Sequence, residues 1–303
     1  MESSIQHLPN FDICICTYKR ASLKDLLASL NRLDGLESFS VRVIIADNDD
    51  HPSAKPIVEE FRKSARFQIT YVHAPKHNIS VARNACLDEA RAQWLIFIDD
   101  DETVSENWLL AFASEVEKTS ADVYLGAVKA IYPDDTDDWL RTNDFHSTRV
   151  VYRKGRIVQG YTTNTCVRRS TIENFKLRFD PAFGKTGGED TVFFSTLVTL
   201  GGKIAACPGA LAYEAVPKSR LTLRWLCDRK YRSGYTQGLI WVNKTGYVKR
   251  IEIMVISVVK WMFCSICSLI AYGKTRSSYW RVRGALHHGV FAACLGLGQK
   301  ELY

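Results

Sequence analysis

Short apolar runs rich in β-branched residues alternate with stretches of helical periodicity from residue 11 to about residue 211. Strands joined by helices pair in parallel, and the helices then cover both faces of the sheet. The alternation therefore predicts an α/β fold with a mostly parallel sheet over residues 1–216. Its first elements are predicted as strand 11–16, helix 22–33, strand 41–46, helix 54–64, strand 67–72, helix 80–92 and strand 94–98. Further strands are predicted at 123–130, 149–152 and 160–167, and the acidic stretch 134–144 as a solvated loop or mobile flap.

Polar residues follow each of the first four predicted strands. They lie at 17–20, 47–50, 77–78 and 99–102. Because ligands of such sheets bind at the carboxyl ends of the strands, four polar exits in succession predict a binding site at that edge. For Asp50 and Ser53 an ordinary turn or helix cap is the favoured interpretation.

Four acids, Asp99 to Glu102, directly follow the apolar run 94–98. Such acids repel one another unless a cation lies among them. Asp99 and Asp101 alternate and so leave the strand on one side, where carboxylate oxygens suit Mg²⁺ or Mn²⁺ that also carries substrate phosphates. This pattern is typical of a nucleotide-using enzyme. The alternative is an acidic N-terminus for the helix expected near Trp108.

The last third of the chain, residues 217–303, has a different composition. Residues 217–250 carry nine basic residues against the single acid Asp228, and residues 251–272 are apolar over about the length of a bilayer span, interrupted by Glu252 and Lys260. A lysine within a span is costly, so a peripheral or re-entrant arrangement, a single span and a buried core helix all stay open. We expect a helical region that associates with a membrane.

The nine cysteines are scattered, without the paired spacing of a zinc site. Residues 1–10 lack the basic and apolar segments of a secretory signal. Both observations favour a reducing, cytoplasmic setting.

Five motifs in this order resemble those of family 2 glycosyltransferases with the GT-A fold, a Rossmann-like mixed sheet. They are Cys-Thr-Tyr-Lys-Arg at 16–20, Ala-Asp-Asn-Asp at 46–49, Asn-Ile-Ser-Val-Ala-Arg-Asn at 78–84, Phe-Ile-Asp-Asp-Asp at 97–101 and Gly-Gly-Glu-Asp at 187–190. Within that family the chain is most similar to bacterial exopolysaccharide glucosyltransferases of the succinoglycan type.

The resemblance implies roles for particular residues. Asp101 would hold Mn²⁺ or Mg²⁺ on the diphosphate with Asp99, the first acid of the DxD motif, which also lies near the ribose, while Asp100 would point away. Asp190 would be the general base with Glu189 beside it, although a helix cap after two glycines is the alternative for both. The remaining nucleotide-sugar contacts would be Thr17, Arg20, Asp47 (to the uracil N–H), Arg83 and Arg224.

Two departures from the family pattern stand out. Where many GT-A enzymes have a late histidine ligand, this chain has Glu214, which could be a ligand, an acceptor contact or an ordinary strand-end acid. The QxxRW motif of processive synthases is echoed only by Leu-Thr-Leu-Arg-Trp at 221–225, so processivity is not supported.

The resemblance implies an inverting transferase that moves a hexose, with glucose expected, from a UDP-sugar to a lipid-linked oligosaccharide in exopolysaccharide synthesis. It would work at the cytoplasmic face of the inner membrane. One alternative is a sugar-nucleotide nucleotidyltransferase, which usually opens with a glycine-rich loop that residues 15–18 lack. The other is a non-enzymatic basic module for membrane or nucleic acid, which leaves the strand-end acids unexplained. We expect no nucleic-acid partner.

Overall fold

The computed structural model describes residues 9–243 and 245–297; Lys244, one of the basic residues, and residues 1–8 lie outside this part. Its strands are β1 (Phe11–Thr17), β2 (Val41–Asp47), β3 (Gln68–His73), β4 (Trp94–Asp99), β5 (Glu102–Val104), β6 (Val123–Ile131), β7 (Tyr152–Arg153), β8 (Arg156–Ile157), β9 (Thr165–Arg168) and β10 (Ile204–Ala215). Its helices are α1 (Leu23–Leu30), α2 (Lys55–Arg62), α3 (Ile79–Glu89), α4 (Trp108–Lys118), α5 (Asp138–Asn143), α6 (Arg169–Asn174), α7 (Glu189–Thr199), α8 (Leu223–Asn243), α9 (Tyr247–Ile270) and α10 (Lys274–Leu295).

Eight strands form one sheet in the order β3-β2-β1-β4-β9-β6-β10-β5. The pairs β1–β2, β1–β4, β2–β3 and β6–β10 are parallel, while β9 runs antiparallel between β4 and β6, and the edge strand β5 runs antiparallel along β10. Buried apolar clusters lie on both faces of the sheet. The predicted mostly parallel α/β sheet is confirmed, with two antiparallel strands that local periodicity did not indicate.

Helix α1 shows how the apolar pattern positions the layers. Leu23, Leu26, Leu27 and Leu30 are fully buried against the sheet, as their spacing predicts. The helix itself spans Leu23–Leu30 and is shorter than the predicted 22–33. Thr17, at the end of β1, is therefore held at the edge of the sheet by a rigid βα unit.

The stretch 134–157 differs from the sequence prediction. The expected acidic loop contains α5, whose Trp139 and Leu140 are buried. Lys274 at the start of α10 lies over the Trp139 ring, 5.3 Å from its centroid, and donates to Asp137 at 2.7 Å. Instead of a strand at 149–152 there is a short β7–β8 hairpin. Asp137 of this stretch therefore binds the start of α10.

Helices α8, α9 and α10 pack together as the C-terminal region. A Cβ added at Gly234 would overlap the carbonyl oxygen of Leu286, and one at Gly289 that of Tyr231, so α8 and α10 approach closely. Helix α9 differs, because only 17% of its most apolar 18-residue stretch is buried. Within the described residues it is the one helix long and apolar enough to cross a membrane. A buried core helix does not fit this exposure.

Asp12 is a buried carboxylate at the opposite edge of the sheet, and its removal should destabilise the fold. It accepts two bonds from Arg42, both 2.8 Å, and backbone bonds from Arg91 (2.6 Å) and Ala92 (2.8 Å). Burial raises the pKa of Asp12, but Arg42 and the two amides outweigh it and hold the pKa below its ordinary value. We expect Asp12→Ala to lower the free energy of unfolding at pH 7 by about 2–4 kcal/mol.

Urea unfolding should show this loss. The control is Glu117→Ala, at an exposed residue, whose free energy of unfolding should stay within about 0.5 kcal/mol of wild type. Because the folded pKa of Asp12 is depressed, its contribution is present above its unfolded pKa, about 4, and disappears as pH falls through the folded pKa. An Asp12→Ala penalty that stayed constant down to pH 2 would contradict the ionic contribution.

Candidate active site

The carboxyl edge of the sheet collects the polar strand ends. Thr17 at the end of β1 pairs in register with Asp47 at the end of β2. Cys16, on the other side of β1, pairs with Asp99 at the end of β4. Glu214 lies near the end of β10, opposite Glu102 of β5. The sheet thus brings residues from five strands to one edge.

The acidic turn after β4 is not a helix cap. Helix α4 begins at Trp108, after Asn107, and its first turn carries no acid. Asp100 does not point away from the site, because it is buried and accepts a hydrogen bond from the Thr17 hydroxyl at 2.7 Å. Burial raises the pKa of Asp100 to about 6, against the effects of Thr17 and Arg20.

Two arginines neutralise Asp101. Arg20 forms an ion pair with it, and the Arg220 Nη2 lies 3.7 Å from the same Oδ2 oxygen. Arg220 also donates to Glu214 Oε1 at 2.6 Å. Asp101, Glu214 and the guanidinium groups therefore form one connected charge network at the mouth of the site.

Asp99 lies in an excess of negative charge. Its backbone N–H donates to Glu102 Oε2 at 3.2 Å, and Glu102 is buried. Burial raises the pKa of Asp99 to about 7; Arg83 opposes the shift, and the charges of Asp101, Asp100 and Glu214 add to it. A carboxylate with so high a pKa is one whose charged form a bound cation would stabilise.

Asp99 and Asp101 fit a divalent cation only together with substrate oxygens. Within residues 9–243 and 245–297, no three His, Cys, Asp or Glu side chains are grouped closely enough to hold a metal ion. Magnesium ions on nucleotides are commonly held by one or two carboxylates plus phosphates and waters. Asp99 and Asp101, two acids at the end of β4, match this pattern of one or two carboxylates that share the ion with phosphates.

Glu189 and Arg83 form a buried ion pair behind the acidic turn. The Arg83 Nη2 also lies 3.8 Å from Asp99 Oδ1, and its guanidinium lies over the Phe179 ring. Glu189 Oε2 is buried and has no hydrogen-bond partner within the described chain. Arg83 therefore ties the start of α7 to the end of β4, and Glu189 points inward.

Asp190 has a free carboxylate oxygen. It occupies the first turn of α7 after Gly188, whose φ of 97° is in the left-handed region that favours glycine. Asp190 Oδ1 accepts from the backbone N–H (2.6 Å) and the hydroxyl (3.2 Å) of Thr191, while no described residue donates to Oδ2. Burial and the charge of Glu189 raise the pKa of Asp190 to about 6, against Arg83. A carboxylate of this kind can accept a proton near neutral pH.

Two predicted nucleotide contacts are placed differently from the others. Asp47 is fully buried, and its carboxylate accepts from Tyr71 Oη (2.8 Å), Ala54 N (2.8 Å) and Asp49 N (3.2 Å). The Arg224 side chain is 92% exposed and lies 4.0 Å from Asp228, outside the charge network. The assigned contacts of Asp47 with uracil and of Arg224 with the donor stay predictions.

Arg220 and Arg229 lie beside Trp225 near the acids, and the sequence interpretation gave neither of them a role in the site. Their guanidinium groups lie over the Trp225 ring, 5.7 and 5.3 Å from its centroid, and His146 stacks on the same ring. Burial lowers the pKa of Arg229, whereas the charges of Glu214 and Asp99 act to raise it. A signal was present in the sequence: residues 225 and 229 share a helix face at i, i+4 spacing, and 224 does not.

A small cleft of about 90 Å³ also opens at this edge. It is lined by Thr17, Tyr18 and Arg20 from the β1 exit, Asn48 and His77 from the next two exits, and Asp100. Thr17 and Arg20 are thus brought to the acids, as their assignment requires.

A mixed sheet of this order, with acids at its carboxyl edge and arginines closing over them, defines a glycosyltransferase of the GT-A type. The glycosyl transferase family 2 model matches residues 12–176, and this chain belongs to that family. Membership favours the transferase over both the nucleotidyltransferase and the non-enzymatic module.

One relative supports this placement over nearly the whole chain, a second matches half of it, and a solved structure shares the fold. The chain is 40% identical over 295 residues to the succinoglycan biosynthesis protein ExoM of Rhizobium meliloti, covering 97% of this chain and 96% of that protein. It is 23% identical over 155 residues to the minor teichoic acid biosynthesis protein GgaB of Bacillus subtilis, covering 50% of this chain and 17% of that protein. The crystal structure of residues 1–349 of S. aureus TarS aligns with a TM-score of 0.55 at 17% identity, covering 95% and 92% of the two chains.

Proposed function

We propose that the protein is an inverting, metal-dependent hexosyltransferase of bacterial exopolysaccharide synthesis. It moves a hexose, with glucose expected, from a UDP-sugar to a lipid-linked oligosaccharide. The free Oδ2 of Asp190, at the same edge as Asp99, Asp101 and Arg229, carries the proposal. The likeness to ExoM along nearly the whole chain supports the pathway. Structures of TarS with UDP and with UDP-GlcNAc share the fold and are consistent with a UDP-sugar donor.

The described side chains divide the chemistry between two sides of the sugar. Asp190 Oδ2 removes the proton from the acceptor hydroxyl as that oxygen attacks C1, and the bond from C1 to the diphosphate breaks on the opposite face. One base opposite one leaving group inverts the configuration at C1. Arg220 and Arg229 donate to the departing diphosphate, whose charge grows as the bond breaks.

Asp99 and Asp101 would hold Mn²⁺ or Mg²⁺ with the diphosphate oxygens. The ion, when bound, would supply positive charge against the leaving diphosphate. Arg20 and Arg220 now neutralise Asp101, so diphosphate binding would draw these arginines from the carboxylate to the phosphate.

A panel of UDP-sugars tests the donor assignment. We expect UDP release that needs Mn²⁺ or Mg²⁺, is largest with one UDP-hexose and rises with a lipid-linked acceptor. UDP should raise the melting temperature in the presence of Mn²⁺, whereas RNA and DNA should not. Release that is indifferent to metal, or stabilisation by nucleic acid alone, would contradict the proposal.

Arg229 rather than Arg224 should determine donor affinity. Within the described chain Arg229 forms no ion pair within 4.0 Å, so its charge is available to a diphosphate, while Arg224 faces solvent. We expect Arg229→Ala to raise the KM for the donor by about tenfold or more, and Arg224→Ala by less than about twofold. Steady-state kinetics checks this. Equal effects of the two substitutions would contradict the assignment.

We also propose that α9 lies on or in the inner membrane with the catalytic edge on its cytoplasmic side. Exposed apolar side chains of α9 repeat at helical spacing; Val255, Val259, Phe263, Ile266 and Ile270 are each more than half exposed. Basic residues of α8 and α10 flank this face and suit an anionic leaflet.

The double substitution Val259→Asp, Phe263→Asp should release the protein from membranes. Both side chains are exposed, at 61% and 57%, so the fold loses little while the membrane face gains two charges that cost about 2.5–3.5 kcal/mol each. Flotation with anionic liposomes measures the loss. Leu200→Asp, at a leucine that directly follows α7 and is 48% exposed, is the control and should float normally. Normal flotation of the double variant would contradict the role of α9.

A further inference from the structure

A cavity of about 600 Å³ lies among α8, α9, α10 and the β7–β8 hairpin. Its basic side chains are Arg153 from the hairpin and Lys249 and Lys260 from α9, and its acid is Glu252. Lys249 pairs with Glu252 at 2.7 Å, so the charges of Arg153 and Lys260 remain uncompensated there. Ile253, Ile256 and Val290 add an apolar wall.

Lys260 interrupts the apolar stretch of α9 and lines this cavity. In the described part of the chain no carboxylate lies within 4.0 Å of its ammonium group, and its charge acts on the neighbouring His287. A lysine in the middle of a membrane-embedded helix costs about 2.5–3.5 kcal/mol, which an anionic partner would offset. The cavity thus presents a cation to an anion that comes from outside the chain.

The cavity is continuous with the exposed face of α9. Ile256 lines the cavity and is also 43% exposed on the outer surface of the helix. An apolar chain lying along Val259 and Phe263 could therefore place a charged headgroup beside Lys260. The combination of an apolar track and a basic end fits an amphiphile and not a free anion.

Helix α8 connects this cavity with the catalytic acids. Ser233 and Gln237 line the cavity, while Thr236 on the same helix is in contact with Gly188, the residue before Glu189 and Asp190. Arg229 lies about two turns before Thr236, close to the charges of Glu214 and Asp99. Arg229 and Gln237 are eight residues apart, about 12 Å along the helix axis, a distance that a short glycan spans.

We propose that this cavity binds the phosphate headgroup of the acceptor's lipid, with the lipid chain along α9 and the glycan directed along α8 to Asp190. The ligand class is a lipid phosphate, and the inference rests on the proposed transfer to a lipid-linked acceptor. Arg153 and Lys260 bind the phosphate oxygens through charge-assisted hydrogen bonds.

Calorimetry of the full chain with octyl phosphate below its micellar concentration tests the site. We expect saturable binding at least about tenfold tighter than that of inorganic phosphate or octyl glucoside, and a loss of about tenfold or more in Lys260→Gln. Arg276→Gln, at an exposed basic residue of α10 outside the cavity, should bind as wild type does. UDP affinity with Mn²⁺, measured on the same samples, should be unchanged in both variants.

Each other outcome overturns the proposal. If inorganic phosphate binds as tightly as octyl phosphate, the cavity is an anion site that does not bind a lipid chain. If octyl glucoside binds as tightly as octyl phosphate, the cavity is an apolar groove that does not bind phosphate. Equal losses in Lys260→Gln and Arg276→Gln would show general surface charge. If Lys260→Gln does not fold, Arg153→Gln on the hairpin, with Lys154→Gln as its control, takes its place. Intact UDP-sugar turnover beside a failed lipid-phosphate test would leave the transferase assignment standing.

Discussion

Asp190→Asn is expected to lower turnover by about 10²- to 10⁴-fold while leaving UDP affinity and folding intact. The amide keeps the shape of the side chain and can still accept from Thr191 through its oxygen, but it cannot take a proton from the acceptor. Rates with saturating donor and lipid-linked acceptor measure the loss, and calorimetry with UDP and Mn²⁺ checks the site. Near-normal turnover would move the base elsewhere, with Glu189 the first candidate.

The pH profile gives the same residue a second test. A base must be deprotonated, and burial with the Glu189 charge raises the pKa of Asp190 to about 6. Turnover of the wild type should therefore fall as pH drops below about 6. The residual activity of Asp190→Asn should lack this acidic limb. An unchanged limb in that variant would assign the titration to another group.

Asp101→Ala is expected to abolish metal-dependent UDP binding, with a loss of about 10²-fold or more in affinity. The substitution removes a ligand that joins protein, metal and diphosphate, and it leaves Arg20 and Arg220 without the oxygen that they share. Asp99→Ala should weaken binding less. Calorimetry with UDP in the presence and absence of Mn²⁺ separates the metal-dependent part.

Asp50→Ala is a suitable control for this series. Asp50 belongs to a neighbouring strand exit, its side chain is 66% exposed, and it lies 2.8 Å from His77 Nε2. Its removal should change UDP affinity by less than about twofold, since surface pairs contribute little. Unchanged affinity in Asp101→Ala, or an equal loss in Asp50→Ala, would remove the metal assignment from Asp101.

The parts of the fold visible in the sequence are those set by local periodicity. Leu23, Leu26 and Leu30 predict α1 because residues three and four apart share a helix face. The apolar run 94–98 predicts β4. The mostly parallel half of the sheet follows from such units. Strand β9 does not, because a four-residue strand carries no information on whether it will insert beside Trp94 or elsewhere.

The site was predictable to the same degree. Strand ends carry positional information, so Thr17, Asp99 and Asp101 could be expected at one edge. Ion pairs between distant segments cannot be predicted in this way. Arg83 and Glu189 are 106 residues apart, and each has several possible partners by sequence alone. The sequence interpretation assigned Arg224 from the short motif at 221–225 and gave no role to Arg229, which shares a helix face with Trp225; the Arg224 assignment stays a prediction.

The boundary drawn at residue 216 runs through the candidate active site. The strand-end carboxylates lie on one side of it, and Arg220 and Arg229 belong to the segment on the other. Lys274 and Asp137 join the two parts a second time. Residues 1–216 expressed alone would keep Arg20 and Arg83 but would lack Arg220 and Arg229, so Glu214 and part of the Asp101 charge would lose their counter-charges. If Arg220 and Arg229 bind the donor as proposed, a displacement of the helical region would change donor affinity. The ion pairs of Arg220 and Lys274 with the sheet domain would then couple membrane attachment to catalysis.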